Sequence, residues 1–510
     1  MRRLSVFLLV CGLVAADWEE ELERFRAAYR QDTGAQQRRD ALLAVARADV
    51  PQAAALLFDV WEKLERAAAG HRKELWKVRG RIRAVRRDLD AQKDRRRRDA
   101  LRTSLGDLNR KDVETNVRLA AIEIEQDAVL TALGTLKSPE VSAWLAQTGL
   151  ERAKSPLLLR TVARNLDVET LGAALQRSRQ ADRVIPLLQA IGGRGRFESG
   201  PALAAVLEQL THRDWAVRVA AAHVVAGASQ PDGVGALVKA VAREKPRSRA
   251  QREMGRALAV LTGQHLGPEP ALWARWWRDH EAEVLAGKLL LGHGKPPAPK
   301  SDQGRFYGIP QVAERNIYVL DVSGSMEVSM LRPMWLDGLP VSARDNEDSR
   351  FDVAMRELKR ATKALRPEAS LAVLVYADHV TPLLGELVPA TPKNHAALVR
   401  ALDPIGPAGS TNIYEALDFA LRLANVHPES PRGASRADAI FLISDGSPTD
   451  SRGNVEDPRR TLQAVRAWNA HLRVAIHTVG IGRQHNADFL RRLAEENGGV
   501  YLGVVPKRKK

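Results

Sequence analysis

The chain of 510 residues is too long for a single hydrophobic core, and its length implies about three units. With 45% hydrophobic and 27% charged residues it reads as a folded, soluble protein. A formal charge of +16 favours acidic partners, whereas aromatic residues at only 5% provide no evident stripe for stacking bases.

Residues 1–16 begin with Arg2 and Arg3, run through apolar Leu4 to Val14 and end on Ala15 and Ala16, the pattern of a secretory signal peptide cleaved before Asp17. The apolar stretch falls short of the roughly 20 residues that span a bilayer, so no transmembrane helix is expected in the mature chain. Cys11 is the sole cysteine, and cleavage leaves a chain that forms no disulfides. Export to the periplasm, the cell envelope or the exterior argues against nucleic acid as the partner of the basic helices and points to anionic envelope surfaces.

Residues 17–137 are helix-compatible, with a break at Thr33-Gly34. Leu75, Val78, Ile82, Val85 and Leu89 step by three and four. So do members of a second series, Leu105, Leu108, Leu119, Ile122, Val129, Leu133 and Leu136. Two long helices in an antiparallel coiled-coil hairpin would bury both seams and put Arg95 to Arg98 near the tip. From 138 to 285 the helices shorten. Arg213 to Ala222, then Gln230-Pro231-Asp232-Gly233 and a second helix from Val234, resemble a HEAT repeat, whose small contact residues let helix pairs stack into a solenoid. Trp273, Trp276 and Trp277 share one helical face, as a helix capping the last repeat would place them.

Residues 286–310, with Gly-His-Gly-Lys-Pro-Pro-Ala-Pro-Lys, read as a semi-extended linker, and 506–510 as a basic tail. Between them, 311–505 alternates strands and helices in the order of a doubly wound α/β domain. Strands are expected at 316–321, 371–376, 439–444, 474–481 and 500–505, with an edge strand near 383–388. Helices are expected at 351–365, 393–402, 413–424, 458–471 and 487–496. The 326–351 segment is an insertion carrying Met330, Met334, Trp335, Leu336 and Arg344 to Asp348, either a loop over the neighbouring site or a surface excursion.

Ile317 to Leu320 are continuously apolar, as in a strand covered on both faces, and the strand ends in Asp321-x-Ser323-x-Ser325. One carboxylate and two hydroxyls in five residues suit a hard cation, and Mg2+ in particular, which takes six oxygens and keeps several waters. Thr411, in an expected surface loop at a helix start, and Asp445, after the apolar strand 439–444, can supply further oxygens. If the two strands are neighbours, Asp445 faces Asp321 across the crevice where strand order reverses. The two carboxylates then repel without metal, so Asp445→Asn should stabilise the metal-free fold slightly.

These residues resemble the von Willebrand factor A domain, whose metal-ion-dependent adhesion site combines a DxSxS loop with a distant Thr and a distant Asp. The resemblance covers about Gln311 to Val505. It implies that Ser323, Ser325 and Thr411 are direct ligands of Mg2+, with Mn2+ or Ca2+ as alternatives, and that Asp321 and Asp445 bind directly or through water. It further implies a non-catalytic adhesion or scaffold protein whose ion accepts an Asp or Glu carboxylate from a protein partner. Two rivals stand beside it: a metal-dependent hydrolase using Ser323 or Ser325, against which there is no G-x-S-x-G elbow and no adjacent His, and a metal-independent scaffold.

Overall fold

The computed structural model describes residues 18–30, 32–198, 200–295, 304–330, 335–336, 339–340, 347–384, 386–428, 430 and 435–505. The signal-peptide and basic-tail expectations, and those at Met334 and Arg344 to Asn346, lie outside these residues. The chain divides into two compact units, Met1–Arg243 with Val260–Gly294, and Glu244–Ala259 with Lys295–Lys510.

The first unit is helical. After helices at 18–28 and Ala35–Val45 come α1 (Pro51–Ala91) and α2 (Arg95–Thr135), each of 41 residues. Pro51 starts α1 where its missing N–H costs nothing, and the Asp94 side chain accepts from the Arg97 amide to cap α2. Leu75 of α1 clusters with Leu119 of α2, while Val78 and Ile82 cluster with Leu108. Contacts that advance on one helix as they retreat on the other make the pair antiparallel, as the heptad spacing implies. The seam is not wholly apolar: Arg79 Nε donates to Asp112 Oδ1 at 2.8 Å, with both side chains at 3% exposure or less.

Beyond Ser138 the helices are short and start on side-chain caps at Ser138, Ser155, Asp167 and Asp214. Helix Ala181–Gly192 packs on Pro156–Ala163 before it and on α3 (Trp215–Ala228) after it, and Pro201–Glu208 packs on Val168–Arg177. Each therefore meets the helix two along as well as its neighbour. α4 (Pro231–Arg243) is covered by α5 (Pro270–Leu285), whose Trp273 is fully buried and donates through Nε1 to the Gly267 carbonyl at 2.8 Å. Among the described residues no helix is long and apolar enough to cross a membrane.

The second unit is the doubly wound α/β domain. Its strands are β1 (Arg315–Asp321), β2 (Ser370–Tyr376), β3 (Val380–Pro382), β4 (Val388–Pro389), β5 (Ala439–Ser444), β6 (Ala475–Ile481) and β7 (Tyr501–Val504). They lie in the order β7-β6-β5-β1-β2-β3, with β4 also beside β2. The pairs from β7 through β2 are parallel, and β3 and β4 are antiparallel to β2. In place of the expected single edge strand at 383–388 there are two short strands, one ending at Pro382 and one starting at Val388.

Chain order runs outward from β1 to β2 and then jumps to β5 on the other side, so the switch point lies between β1 and β5. Tyr318 and Leu320 face a core layer with α6 (Arg350–Lys363) and α7 (Pro392–Leu402). Ile317 and Val319 face the opposite layer, with α8 (Ile413–Leu423), α9 (Pro458–Trp468) and α10 (Ala487–Glu496). Burial on both faces is why β1 reads as an unbroken apolar run.

The stretch expected to be linker to residue 310 is corrected at its end. Arg305–Phe306 pairs with Ile309–Pro310 as an antiparallel hairpin, and Phe306 is fully buried edge-on to Tyr318 and Phe441 at 5.4 and 5.5 Å. Burying one such ring contributes about 2–3 kcal/mol, so the hairpin is part of the domain. In the insertion, Met330 is buried and Trp335–Leu336 pairs with Leu339–Pro340. Its base is closed where Met330 N–H donates to Asp348 O at 3.1 Å and Arg350 N–H to Val328 O at 3.0 Å.

Candidate metal centre

β1 delivers Asp321 to the crevice fully buried, and the chain turns at once. Ser323 N–H donates to Asp321 Oδ1 at 2.9 Å, and Gly324–Glu327 form a single 3-10 turn that brings Ser325 back beside Ser323. The two hydroxyl oxygens stand 3.0 Å apart. Ser325 Oγ donates to Asp445 Oδ1 at 2.7 Å, bridging the ends of β1 and β5. Asp321 Oδ2 accepts from Ser444 Oγ at 2.8 Å and Tyr376 Oη at 3.1 Å.

The Thr411 loop is fastened to the same edge. Ala408 N–H donates to Val322 O at 2.8 Å and Gly324 N–H to Gly409 O at 3.0 Å. Gly409 has φ of +81°, and a Cβ there would stand 2.8 Å from Asp378 Oδ1, the atom that accepts from the Ser410 amide and hydroxyl. Only glycine satisfies both conditions. Thr411 is not a surface residue, as the sequence suggested, but 6% exposed. Its N–H donates to Thr449 Oγ1 at 2.7 Å and its carbonyl accepts from Thr449 N–H at 2.9 Å. A Cβ on Gly446 would lie 3.7 Å from Thr411 Oγ1, which puts that hydroxyl against the turn following Asp445.

Two fully buried carboxylates flank the crevice. Burial first, and then the charge of Asp445, push the Asp321 carboxyl up to about 7 despite hydrogen bonds from Ser323 and Ser444. A raised carboxyl pKa means the folded protein holds more protons than the unfolded chain between pH ~4 and that value. Stability of the metal-free protein from this group therefore falls as pH rises through that window. Burial also raises the Tyr376 phenol, which stays a donor.

The donor set fits a hard divalent cation. Neighbouring vertices of an octahedron with bonds of about 2.0–2.1 Å are about 2.9 Å apart. The Ser323–Ser325 and Ser325–Asp445 oxygen separations, 3.0 and 2.7 Å, lie on either side of that spacing. Among the described residues no three His, Cys, Asp or Glu side chains gather as a metal cage. His477, inside β6, is a packed residue stacked on Phe441 at 4.8 Å, its pKa lowered to about 4 by burial.

Three residues of the site escaped the sequence reading. Tyr376 and Ser444 end the strands beside Asp321, and their strand register identifies them once β2 and β5 are known neighbours. Arg350 carries no local signal. It starts α6 after the insertion, 1% exposed, and its Nη1 donates to Asp445 Oδ2 at 2.6 Å.

A mostly parallel sheet with helices on both faces, and oxygen donors gathered at its switch point, defines a doubly wound α/β domain. The family model for the von Willebrand factor type A domain matches residues 341–502, and the C-terminal unit carries that domain. The matched span begins after the Asp321 to Ser325 loop, whose place in the domain follows from β1 lying central between β5 and β2.

Inter-alpha-trypsin inhibitor heavy chain H2 of Mesocricetus auratus is 28% identical over 205 residues, 38% of this chain and 21% of that protein. The Mus musculus protein of the same name is 29% identical over 191 residues, 36% of this chain and 20% of its own. The chain thus spans about a fifth of these relatives. Of solved structures, a von Willebrand factor type A protein from Catenulispora acidiphila is 20% identical, covering 38% of this chain and 39% of that one, with a TM-score of 0.28. Proximal thread matrix protein 1 from the mussel byssus, described with a zinc-occupied MIDAS motif, is 19% identical over 37% of this chain and 41% of its own, with a TM-score of 0.26.

Proposed function

We propose that the protein is an exported interaction protein that holds a divalent cation through Ser323, Ser325 and Thr411, with Asp321 and Asp445 binding directly or through water. Mg2+ fits first, and Mn2+ or Ca2+ are alternatives. The bound ion would supply an electrophilic point for an anionic oxygen, and the ligand class is a protein partner presenting an Asp or Glu carboxylate. The observation that carries this reading is the run of hydroxyl and carboxylate oxygens spaced at 3.0 and 2.7 Å at the switch point. The stacked short helices support a HEAT-like scaffold, and the exposed Arg95 to Arg98 at the hairpin tip support contact with an anionic envelope surface.

A hydrolase built on Ser325 has one favourable observation, the Asp445 carboxylate within hydrogen-bond reach of its hydroxyl. The same carboxylate is held by the Arg350 guanidinium, and no described hydrogen bond joins either serine hydroxyl to a histidine. The pair is better explained as two ligands of one ion than as nucleophile and base.

Capture of a partner by the immobilised full chain from an envelope extract in magnesium is expected to be lost in EDTA. It should be lost as well in an Asp321→Ala variant whose circular dichroism matches the parent. Capture that survives either change contradicts the metal-bridged mechanism.

A further inference from the structure

Resting on that metal reading, we propose that Arg350 is the built-in counter-cation of the site, a guanidinium that holds Asp445 when no ion is bound and lowers the site's affinity for the ion. Asp445 is fully buried with one partner on each oxygen, Ser325 Oγ on Oδ1 and Arg350 Nη1 on Oδ2. Two buried carboxylates with no cation would be strongly unfavourable, and the guanidinium offsets one of them.

The surroundings are shaped to this side chain. Arg350 is the first residue of α6, fixed there by the reciprocal capping box of Ser349 and Asp352 and by its own N–H on the Val328 carbonyl at 3.0 Å. Gly482 passes over it with φ of +82°, and a Cβ there would stand 2.6 Å from Arg350 Nε. Among the described residues Arg350 Nε has no hydrogen-bond partner, and the Asp445 carboxylate is the one acceptor of the guanidinium. An arginine in a purely structural role is usually satisfied at several nitrogens. Here the contact is single-ended, so the position of the cationic group relative to Asp445, rather than a network, is what the fold preserves.

Two consequences follow from charge alone. An arriving divalent ion meets a carboxylate pair already half neutralised and a fixed positive charge beside it, which weakens binding. The metal-free domain, in turn, keeps Asp445 compensated and does not depend on the ion for folding. Arg350 is thus an affinity-setting residue, acting on the ion through Asp445.

The test uses the full chain titrated calorimetrically with Mn2+, together with melting in EDTA. Arg350→Met, similar in length but neutral, should bind Mn2+ at least about tenfold more tightly than the parent and melt lower in EDTA. Arg350→Lys restores the charge and should return the affinity to within about threefold of the parent. A Met variant that folds only when Mn2+ is present is the same result in extreme form. Equal or weaker Mn2+ binding by the Met variant, or a Lys variant matching Met rather than the parent, overturns the proposal. So does a Met variant that stays unfolded in Mn2+ while the Lys variant folds and binds unlike the parent. A parent chain that takes up no Mn2+ at all refutes instead the metal reading on which this rests.

Discussion

Asp445→Asn is expected to weaken both forms of the protein, with metal and without it. In magnesium, the loss of one carboxylate should lower ion affinity about 10–100-fold. At a free concentration 100-fold above the parent's dissociation constant, the ion stabilises the parent by about 2.7 kcal/mol, and a variant weakened 100-fold by about 0.4 kcal/mol. In EDTA the sign reverses what the sequence alone suggests. Repulsion from Asp321 is relieved, but Arg350, 1% exposed, loses its counter-charge. Breaking a buried ion pair by removing one partner costs about 3–5 kcal/mol, more than the relief returns, so a net loss of about 2–4 kcal/mol is expected. Melting of parent and variant in magnesium and in EDTA measures both effects. A variant more stable than the parent in EDTA would show that Arg350 does not compensate Asp445.

The second large effect lies in the helical unit. Arg79→Ala leaves Asp112, 1% exposed in the seam between α1 and α2, without the guanidinium that donates to it at 2.8 Å. Removal of one member of a buried pair costs about 3–5 kcal/mol, and a solvent-exposed pair such as Arg102–Asp99 is worth at most about 1 kcal/mol. Denaturant unfolding followed by helical circular dichroism should therefore separate Arg79→Ala from Arg102→Ala by several-fold in lost stability. Replacing both partners, as Arg79→Leu with Asp112→Leu, should recover most of the loss, because a seam of leucines needs no charge compensation. A single variant as stable as the parent would mean that Asp112 is compensated without Arg79.

The legible parts of the molecule were those with a period or a fixed residue order. Heptad spacing over Leu75 to Ile82 and Leu108 to Leu133 marks the two long helices, and the continuous apolar run of Ile317 to Leu320 marks a strand covered on both faces. Asp321, Ser323, Ser325, Thr411 and Asp445 stand out in the sequence as candidate oxygen donors because small oxygen-bearing residues follow apolar strands or precede a helix. What stayed hidden depends on tertiary placement. Nothing near Arg350 distinguishes it from the other arginines, and its role exists only because α6 starts against the end of β5. Phe306 sits in a short stretch beside a Pro- and Gly-rich run, and only the core it enters shows that it is not linker. Thr411 precedes a helix, a position that is usually exposed, and became buried because the 446–457 segment folds back on it through Thr449.

The most direct test of the account is anomalous diffraction from crystals of the full chain soaked in Mn2+. One anomalous peak is predicted at the switch point, about 2.1–2.3 Å from the hydroxyl oxygens of Ser323 and Ser325, an ordinary bond length for an oxygen-ligated ion of this size. A fully occupied Mn2+ elsewhere, with the Ser325–Asp445 hydrogen bond still intact and no peak between the two serines, would contradict it.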